Sequence, residues 1–277
     1  MSEDFSGWVG RSEEATDILE PSRSNAMTAS VGVVTGFKPG DVMPLLHHWL
    51  YFWNVQPPHG LGSDGHPARG GFLPPVALPR RMWAGGRLKF HQPLHFGEPV
   101  TRTSTILKVE AKSGRSGELV FVTVEHRLAG ANGFAVTEEQ DLVYREAAAP
   151  GSIPGPDANA PAPQSTFHRM IEPDEVMLFR YSALTMNGHR IHYDLPYACD
   201  EEAYPALVVQ GPFMATCLVA MAQRELGGQL ATFDFRGQSP AFCGTTLHVC
   251  GEKTDAGIDV WTEQGGAKCM VASATAA

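Results

Sequence analysis

Residues 181–194, YSALTMNGHRIHYD, hold the side chains whose types could carry out chemistry. His192 is the candidate for proton transfer, because an imidazole with an unperturbed pKa of about 6.5 can accept and return a proton near neutral pH. The polar residues around it are Asn187, His189, Arg190 and Asp194. This cluster indicates acid–base chemistry on a substrate that other elements must hold in place.

The segment YPALVVQGPFMATC, which starts at Tyr204, supplies an element that could hold such a substrate. Pro212 at the first helical position and two glycines after the end predict a helix over residues 212–226. The first backbone N–H groups of a helix lack intrahelical partners and carry partial positive charge, so they can bind an oxyanion. Gly211 has no Cβ, which lets a ligand carbonyl approach closely. The alternative interpretation of these residues is an ordinary helix cap.

Two other chemistries could use the same cluster. The spacing His189-x-x-His192-x-Asp194 could ligate a metal ion, although the loop offers no fourth ligand. Ser182 or Thr185 could act as a nucleophile, although no GxSxG turn surrounds either residue. We favour acid–base chemistry on a carbonyl-bound substrate, and we expect no metal ion.

The chain that must position these residues has 277 residues and divides at one segment of unusual composition. Residues 147–164, AAAPGSIPGPDANAPAPQ, contain almost no bulky apolar side chain and are typical of a linker. We therefore predict an N-terminal domain over residues 1–146, this Pro/Ala/Gly linker, and a C-terminal domain over residues 165–277. Each domain is long enough to bury a core of its own.

The two parts share one predicted layout, an apolar helix followed by four strands. The helices are expected over residues 42–54 and 212–226. The expected strands cover residues 87–91, 100–108, 119–129 and 135–144, then 232–236, 245–252, 257–264 and 269–274. A Pro-x-x-x-Gly turn follows the first strand of both sets, at Pro93 and Pro240, which suggests an internal duplication. The pattern predicts an α+β fold with two antiparallel sheets, each wrapping a long helix.

Composition excludes several classes of function. With 43% hydrophobic and 18% charged residues the chain is not disordered as a whole, and it has no run of about 18 apolar residues that could span a membrane. The first residues lack the features of a secretory signal. A net charge of −9 argues against nucleic acid as a partner, and five cysteines without a CxxC pair argue against disulfides. We expect a cytoplasmic protein with no nucleic-acid or membrane partner.

Residues 181–192 resemble the signature of the MaoC-like (R)-specific enoyl-CoA hydratases. In that signature a small residue, Gly and Asp are followed, after one variable position, by Asn-Pro-x-His. The residues at these positions here are, in order, Thr185, Met186, Asn187, His189, Arg190 and His192. Gly211 stands where the family's oxyanion-binding amide lies, so the resemblance implies that His192 is the catalytic histidine.

A closer resemblance extends along nearly the whole chain. The fragments WVGRSEEATD, RGGFLPPVALPRRMWAGGRLKF, SALTMNGHRIHYD and YPALVVQGP are similar to the double hot-dog mesaconyl-CoA (3-methylfumaryl-CoA) and itaconyl-CoA hydratases, relatives of the fatty-acid-synthase-type dehydratases. This implies a double hot-dog fold and reversible addition of water to an α,β-unsaturated acyl-CoA with a branched five-carbon dicarboxylyl group, with no cofactor beyond the CoA of the substrate. The open alternatives are a 3-hydroxyacyl-thioester dehydratase of fatty-acid type and a non-catalytic acyl-CoA binding protein. Two chains could also pair as a homodimer.

The resemblance also implies roles for individual residues. His192 acts as acid and base, and the Gly211 N–H stabilises the oxyanion. Asn187 replaces the family's aspartate and can orient a water but cannot accept its proton, so either His192 performs both proton steps or Asp194 assists; we predict that Asp194 orients the imidazole. The candidates for binding a distal carboxylate or the CoA phosphates are Arg80, Arg81, Arg190, Arg236 and His189. The N-terminal half lacks the 181–194 segment and is expected to form a wall of the binding site.

Overall fold

The computed structural model describes residues 4–114 and 117–277, and within these ranges ten strands form one continuous sheet. The order across it is β1-β3-β4-β5-β2-β7-β10-β9-β8-β6. The strands are β1 (Ser12–Ile18), β2 (Arg80–Phe90), β3 (Pro99–Gly114), β4 (Gly117–Gly130), β5 (Gly133–Arg145), β6 (Phe167–Ile171), β7 (Leu230–Gly237), β8 (Leu247–Thr254), β9 (Gly257–Gln264) and β10 (Ala267–Ala276), and the α-helices are α1 (Pro21–Ser30), α2 (Glu175–Thr185) and α3 (Gly211–Leu226). Every strand pair is antiparallel. Each strand predicted from the sequence is present, the one over residues 257–264 with the same bounds and the others in a longer or shifted form.

The sheet repeats one arrangement of five strands on each side of its centre, where β2 pairs with β7. Leu88 lies five residues before Pro93, as Phe235 does before Pro240. By this count Leu88 is equivalent to Phe235, and Gly86 to Phe233. Across the central pair Leu88 faces Phe233 and Phe235 faces Gly86, as expected for two strands related by a two-fold axis. The two Pro-x-x-x-Gly turns follow β2 and β7 respectively, and both end on a glycine with positive φ. The predicted internal repeat is therefore confirmed.

Helix α3 lies where the sequence placed it, in the C-terminal half. It begins with proline in its first turn and ends at Gly227, whose φ of 75° is the left-handed conformation that favours glycine. Its buried face packs against β7 to β10 and includes Leu218, Val219 and Met221. Burial of each such side chain contributes about 1.5–3 kcal/mol. None of the helices in the two described ranges is long and apolar enough to cross a membrane.

The predicted helix over residues 42–54 is wrong, so only one half of the sheet wraps a long helix. The structure has a single 3-10 turn there, His47–Leu50, and Leu46 and Phe52 adopt left-handed backbone conformations that interrupt any α-helix. Instead, His48 Nε2 donates to the buried carboxylate of Glu138, to Oε2 at 2.8 Å. The apolar density of the segment is that of buried irregular chain rather than of a helix.

Residues between β5 and β6, which include the predicted linker 147–164, form no helix or strand. The main hydrophobic cluster nevertheless contains residues from both sides of this segment, such as Leu88 and Leu218. The two halves therefore share one core, and the division into two domains stays a prediction. Helices α1 and α2 and the edge strands β1 and β6 had no counterpart in the sequence prediction.

Candidate active site

His192 lies in a short 3-10 turn after α2, and its ring is fixed by one hydrogen bond. Nδ1 is 2.7 Å from the carbonyl oxygen of Val208. Because a carbonyl oxygen only accepts, Nδ1 carries the hydrogen and donates it, and Nε2 keeps a free lone pair. This is the tautomer that a general base at Nε2 requires.

Nε2 of His192 forms no hydrogen bond with the described residues, and the residue is only 7% exposed. Nε2 of His192 is not among the fully buried side-chain atoms that lack a hydrogen-bond partner in the described residues, so it keeps some accessible surface. Burial lowers the pKa of His192 to about 3, with a further lowering by His189, against the opposing effect of the Val208 hydrogen bond. The imidazole is therefore neutral at pH 7 and able to accept a proton.

Gly211 is the first residue of α3 and stands three residues after Val208. Three residues of extended chain span at most about 10 Å, so the imidazole is anchored close to the start of α3. An added Cβ at Gly211 would meet only Met270 Cε, at 3.8 Å, so the side of Gly211 is open. Gln210 holds the helix start in place, because its Nε2 donates to Leu178 O at 2.9 Å and to Ser182 Oγ at 3.0 Å.

Asn187 follows the end of α2 in a tight turn. Its Oδ1 accepts the His189 N–H at 3.1 Å, and its own N–H donates to Ser182 O at 2.8 Å. The residue before it, Met186, has φ of 51°, a left-handed conformation at the position where the resembled signature has glycine. Nδ2 of Asn187 has no partner elsewhere in the described residues and is free to hold a water.

The prediction that Asp194 orients the imidazole is wrong. Asp194 Oδ2 accepts from Arg190 Nε at 2.9 Å and from Nη2 at 2.7 Å, and Oδ1 accepts the Tyr197 N–H at 3.2 Å. The Val208 carbonyl takes the orienting position instead. Arg190 is thereby already paired, and it also donates to Ser63 O at 3.0 Å.

Glu202, which the sequence prediction missed, connects two of the predicted residues. His189 Nε2 donates to Glu202 Oε1 at 3.1 Å, and Arg80 Nε donates to Oε2 at 3.2 Å. Burial by itself would raise the pKa of Glu202, but the bonds and charges of His189 and Arg80 outweigh it and hold the pKa below its ordinary value. Arg80 is buried and lies over the Tyr204 ring at 4.7 Å. Arg80 therefore balances Glu202 and is not a solvated surface cation.

His66 is a second residue that the prediction missed, and it comes from the N-terminal half. Its ring lies 4.4 Å from that of His189, and the His189 ring lies 5.5 Å from that of His192, measured between centroids. The loop that carries it is bound to the site segment, since the Arg190 N–H donates to Asp64 O at 2.9 Å. The N-terminal half thus places one side chain, His66, beside His189, and its role as a wall of the binding site stays a prediction. No motif marks His66, because its partners lie more than 120 residues away.

The structure does not bring every predicted residue together. Arg236 is exposed beside buried Phe235 on β7, so it points to the face of the sheet opposite α3. Arg81 is half-buried near His66. In the part of the chain that the structure describes, no three metal-ligating side chains converge. Thr185 Oγ1 donates to Tyr181 O at 2.7 Å, as a helical threonine does, and shows no sign of activation.

A cavity of about 110 Å³ lies away from this cluster. Its lining includes His48, Phe90 and Gln223. Gln223 is twelve residues after Gly211 on α3, which corresponds to about 18 Å along the helix. The cavity is therefore not the space beside His192.

Comparison with known proteins identifies the family. The model of the hydroxyacyl-thioester dehydratase type 2 family matches residues 46–243. The chain belongs to this family. The family range contains His66, His192, Glu202 and Gly211, and membership confirms the prediction of a hydro-lyase of the hydratase and dehydratase type.

One curated relative is similar to this chain over most of the length of both proteins. It is 44% identical over 242 residues, which cover 87% of this chain and 86% of the relative, and it is the mesaconyl-C(4)-CoA hydratase of Chloroflexus aurantiacus. A solved MaoC-like dehydratase matches with a TM-score of 0.72 over 99% of both chains at 13% identity. A Mycobacterium tuberculosis protein described as a double hotdog fold matches with a TM-score of 0.59 over 96% of both chains at 14% identity. These structures confirm the double hot-dog fold.

Proposed function

We propose that this chain is a hydratase that adds water reversibly to an α,β-unsaturated dicarboxylyl-CoA, with the mesaconyl-C4 thioester as substrate. The observation that carries the chemistry is the imidazole of His192, fixed at Nδ1 by Val208 and open at Nε2, beside the start of α3. The substrate is inferred from the relative that is 44% identical over most of both chains. We place the activity in the cytoplasm, and pairing into a homodimer stays a proposal.

The first step is attack of water on the β-carbon of the thioester. Nε2 of His192 accepts one proton of the water while its oxygen forms the new bond to carbon. Asn187 Nδ2 donates to the water oxygen and positions it, since its own Oδ1 is already occupied by the His189 N–H. The electron pair of the double bond moves toward the thioester and makes an enolate oxygen.

The enolate oxygen is stabilised by the N–H of Gly211 at the start of α3. This amide stands at the first helical position, where no intrahelical acceptor exists, and the helix dipole adds partial positive charge. Loss of one such donor typically costs about 100–1,000-fold in rate. Since the side of Gly211 is open, the thioester oxygen can approach the amide closely.

The second step returns the proton to the α-carbon. Burial disfavours the protonated imidazole of His192, as its lowered pKa shows, so the imidazolium is a strong acid that readily gives the proton up. The same ring can therefore serve both steps without a carboxylate partner. The reverse reaction, dehydration of a 3-hydroxyacyl thioester, uses the same groups in the opposite order.

A 3-hydroxyacyl-thioester dehydratase acting on fatty-acyl chains is the second candidate, since the family model bears that name. An apolar tunnel would favour it, whereas a cation beside the β-carbon favours a carboxylate on the acyl group. The His66 and His189 rings beside His192 make this wall polar and not an apolar tunnel, which favours the carboxylate.

The test is loss of enoyl-thioester absorbance with mesaconyl-C4-CoA and with crotonyl-CoA, for the native protein and for His192→Asn. We expect turnover of mesaconyl-C4-CoA by the native protein alone. Release of free thiol would instead indicate a thioesterase. If CoA esters bind and neither is consumed, the protein is a non-catalytic binder and the proposal is overturned.

A further inference from the structure

The charges around His66 and Arg81 are not balanced by the chain itself. The guanidinium groups nearby are those of Arg69, Arg80 and Arg81, and the carboxylates are those of Asp64 and Glu202. Glu202 pairs with Arg80. Arg81 forms no ion pair with any carboxylate of residues 4–114 and 117–277. These three guanidinium groups exceed the two carboxylates by one positive charge.

Two uncharged donors beside Arg81 also lack partners. Tyr144 lies opposite Arg81 in the β2–β5 pair, close enough for the guanidinium to act on its hydroxyl, and that buried hydroxyl has no acceptor among the described residues. The ring nitrogens of His66 make no hydrogen bond within the same described ranges, although its backbone N–H donates to Asp64 Oδ1 at 3.0 Å. A fully buried donor without an acceptor, such as the Tyr144 hydroxyl, is rare because it costs free energy unless something accepts from it.

Burial and the charged neighbours of His66 together set its protonation state. Burial lowers its pKa to about 2, with further lowering by Arg81, His189, His192 and Arg69. An imidazole surrounded by cations and buried in this way is neutral and serves as a donor to an anion. The anion itself would be attracted by the unpaired guanidinium of Arg81.

We propose that Arg81 and His66 bind the acyl carboxylate of the substrate. In a mesaconyl-C4 thioester this carboxylate is attached to the β-carbon, the atom that water attacks next to His192. His66 stands one ring beyond His189 as seen from His192, with centroid distances of 4.4 and 5.5 Å between successive rings. When Arg81 and His66 bind this carboxylate, its negative charge repels the oxygen of the attacking water less strongly. This inference rests on the proposed function and adds the residues that select the substrate.

The test uses two substrates of nearly equal size. Fumaryl-CoA carries a carboxylate on the β-carbon, whereas crotonyl-CoA carries a methyl group there. For native protein we expect a higher kcat/KM with fumaryl-CoA. Because a hydrogen bond to a charged group contributes about 1.5–3 kcal/mol, Arg81→Gln and His66→Leu should each lower the fumaryl-to-crotonyl ratio by about 10–100-fold.

Matched controls separate selection from folding. His59→Gln alters an exposed histidine in the segment that leads to His66, and Arg236→Gln alters an arginine on the opposite face of the sheet. Both should leave the ratio unchanged, and Arg81→Lys should restore part of it. An equal loss with both substrates, or an unchanged ratio, overturns the assignment of Arg81 and His66 while the proposed function stands. A native protein that hydrates neither fumaryl-CoA nor mesaconyl-C4-CoA overturns both.

Discussion

Removal of the Glu202 carboxylate should destabilise the protein strongly. Glu202 is the acceptor for both His189 and Arg80, and the Arg80 and Glu202 side chains are only 6% and 10% exposed. In Glu202→Ala the guanidinium of Arg80 stays buried without a partner. Breaking a buried ion pair in this way costs about 3–5 kcal/mol. For a chain of this length that corresponds to a fall in Tm of roughly 10 °C.

The neighbouring Glu201 provides the matched control, because it is exposed and adjacent in sequence. Urea unfolding and thermal denaturation at pH 7 would compare Glu202→Ala, Glu202→Gln and Glu201→Ala. Glu202→Gln should lie between the other two, since the amide oxygen still accepts one hydrogen bond but carries no charge. A Glu202→Ala protein within about 1 kcal/mol of Glu201→Ala would refute the ion pair.

The pH dependence of this difference has a defined sign. The pKa of Glu202 is lowered in the folded protein relative to the unfolded chain, so its ionised form contributes stability at pH values above the ordinary carboxyl pKa. That contribution is lost as the pH falls through the lowered folded-state value. The stability difference between native protein and Glu202→Gln should therefore shrink below about pH 4.5. A difference that grows on acidification would contradict the interpretation.

Three further outcomes are expected at the catalytic groups. His192→Asn should lower kcat by about 100–10,000-fold while binding of CoA esters, measured calorimetrically, is retained; a smaller loss would remove the general-base role. Gly211→Ala should fold normally, because its Cβ meets only Met270 Cε at 3.8 Å, yet lose at least about tenfold in kcat/KM by crowding the thioester oxygen; native activity would show that the oxyanion lies elsewhere. Since the pKa of His192 is lowered to about 3, initial kcat/KM with crotonyl-CoA should stay level from about pH 8 to pH 5, and a limb centred near the ordinary histidine value of about 6.5 would contradict the buried neutral imidazole.

Local signals in the sequence predicted most of the fold. Proline and glycine at the ends of α3, and β-branched residues along β4, act through contacts within a few residues, so they can be recognised without the tertiary structure. The false helix over residues 42–54 shows where this approach fails. Its residues contact distant parts of the chain, as in the bond between His48 and Glu138, which are 90 residues apart. Helix α2 did carry a local signal, the Asp174 cap that accepts the Met177 N–H at 2.7 Å.

The candidate site divides in the same way. His192, Asn187 and Gly211 lie in motifs short enough to be recognised directly. Glu202 and His66 stand outside any motif. A hydrogen bond joins Glu202 to His189, whereas the packing of the loop around Asp64 against the site segment brings the His66 ring to His189. The role first given to Asp194 fails for a related reason. Asp194 is two residues from His192 and four from Arg190, and it is Arg190 that binds the carboxylate.

The central pair of β2 and β7 joins two equivalent halves within a single polypeptide. In a complex of two identical chains, any substitution at such a junction occurs on both sides at once. Covalent fusion removes that constraint, so a change that suits one half need not suit the other. One half can thus keep the reactive imidazole and its helix while the other exchanges a helix for a loop that recognises the ligand, a division of labour that a symmetric pair of chains could not evolve.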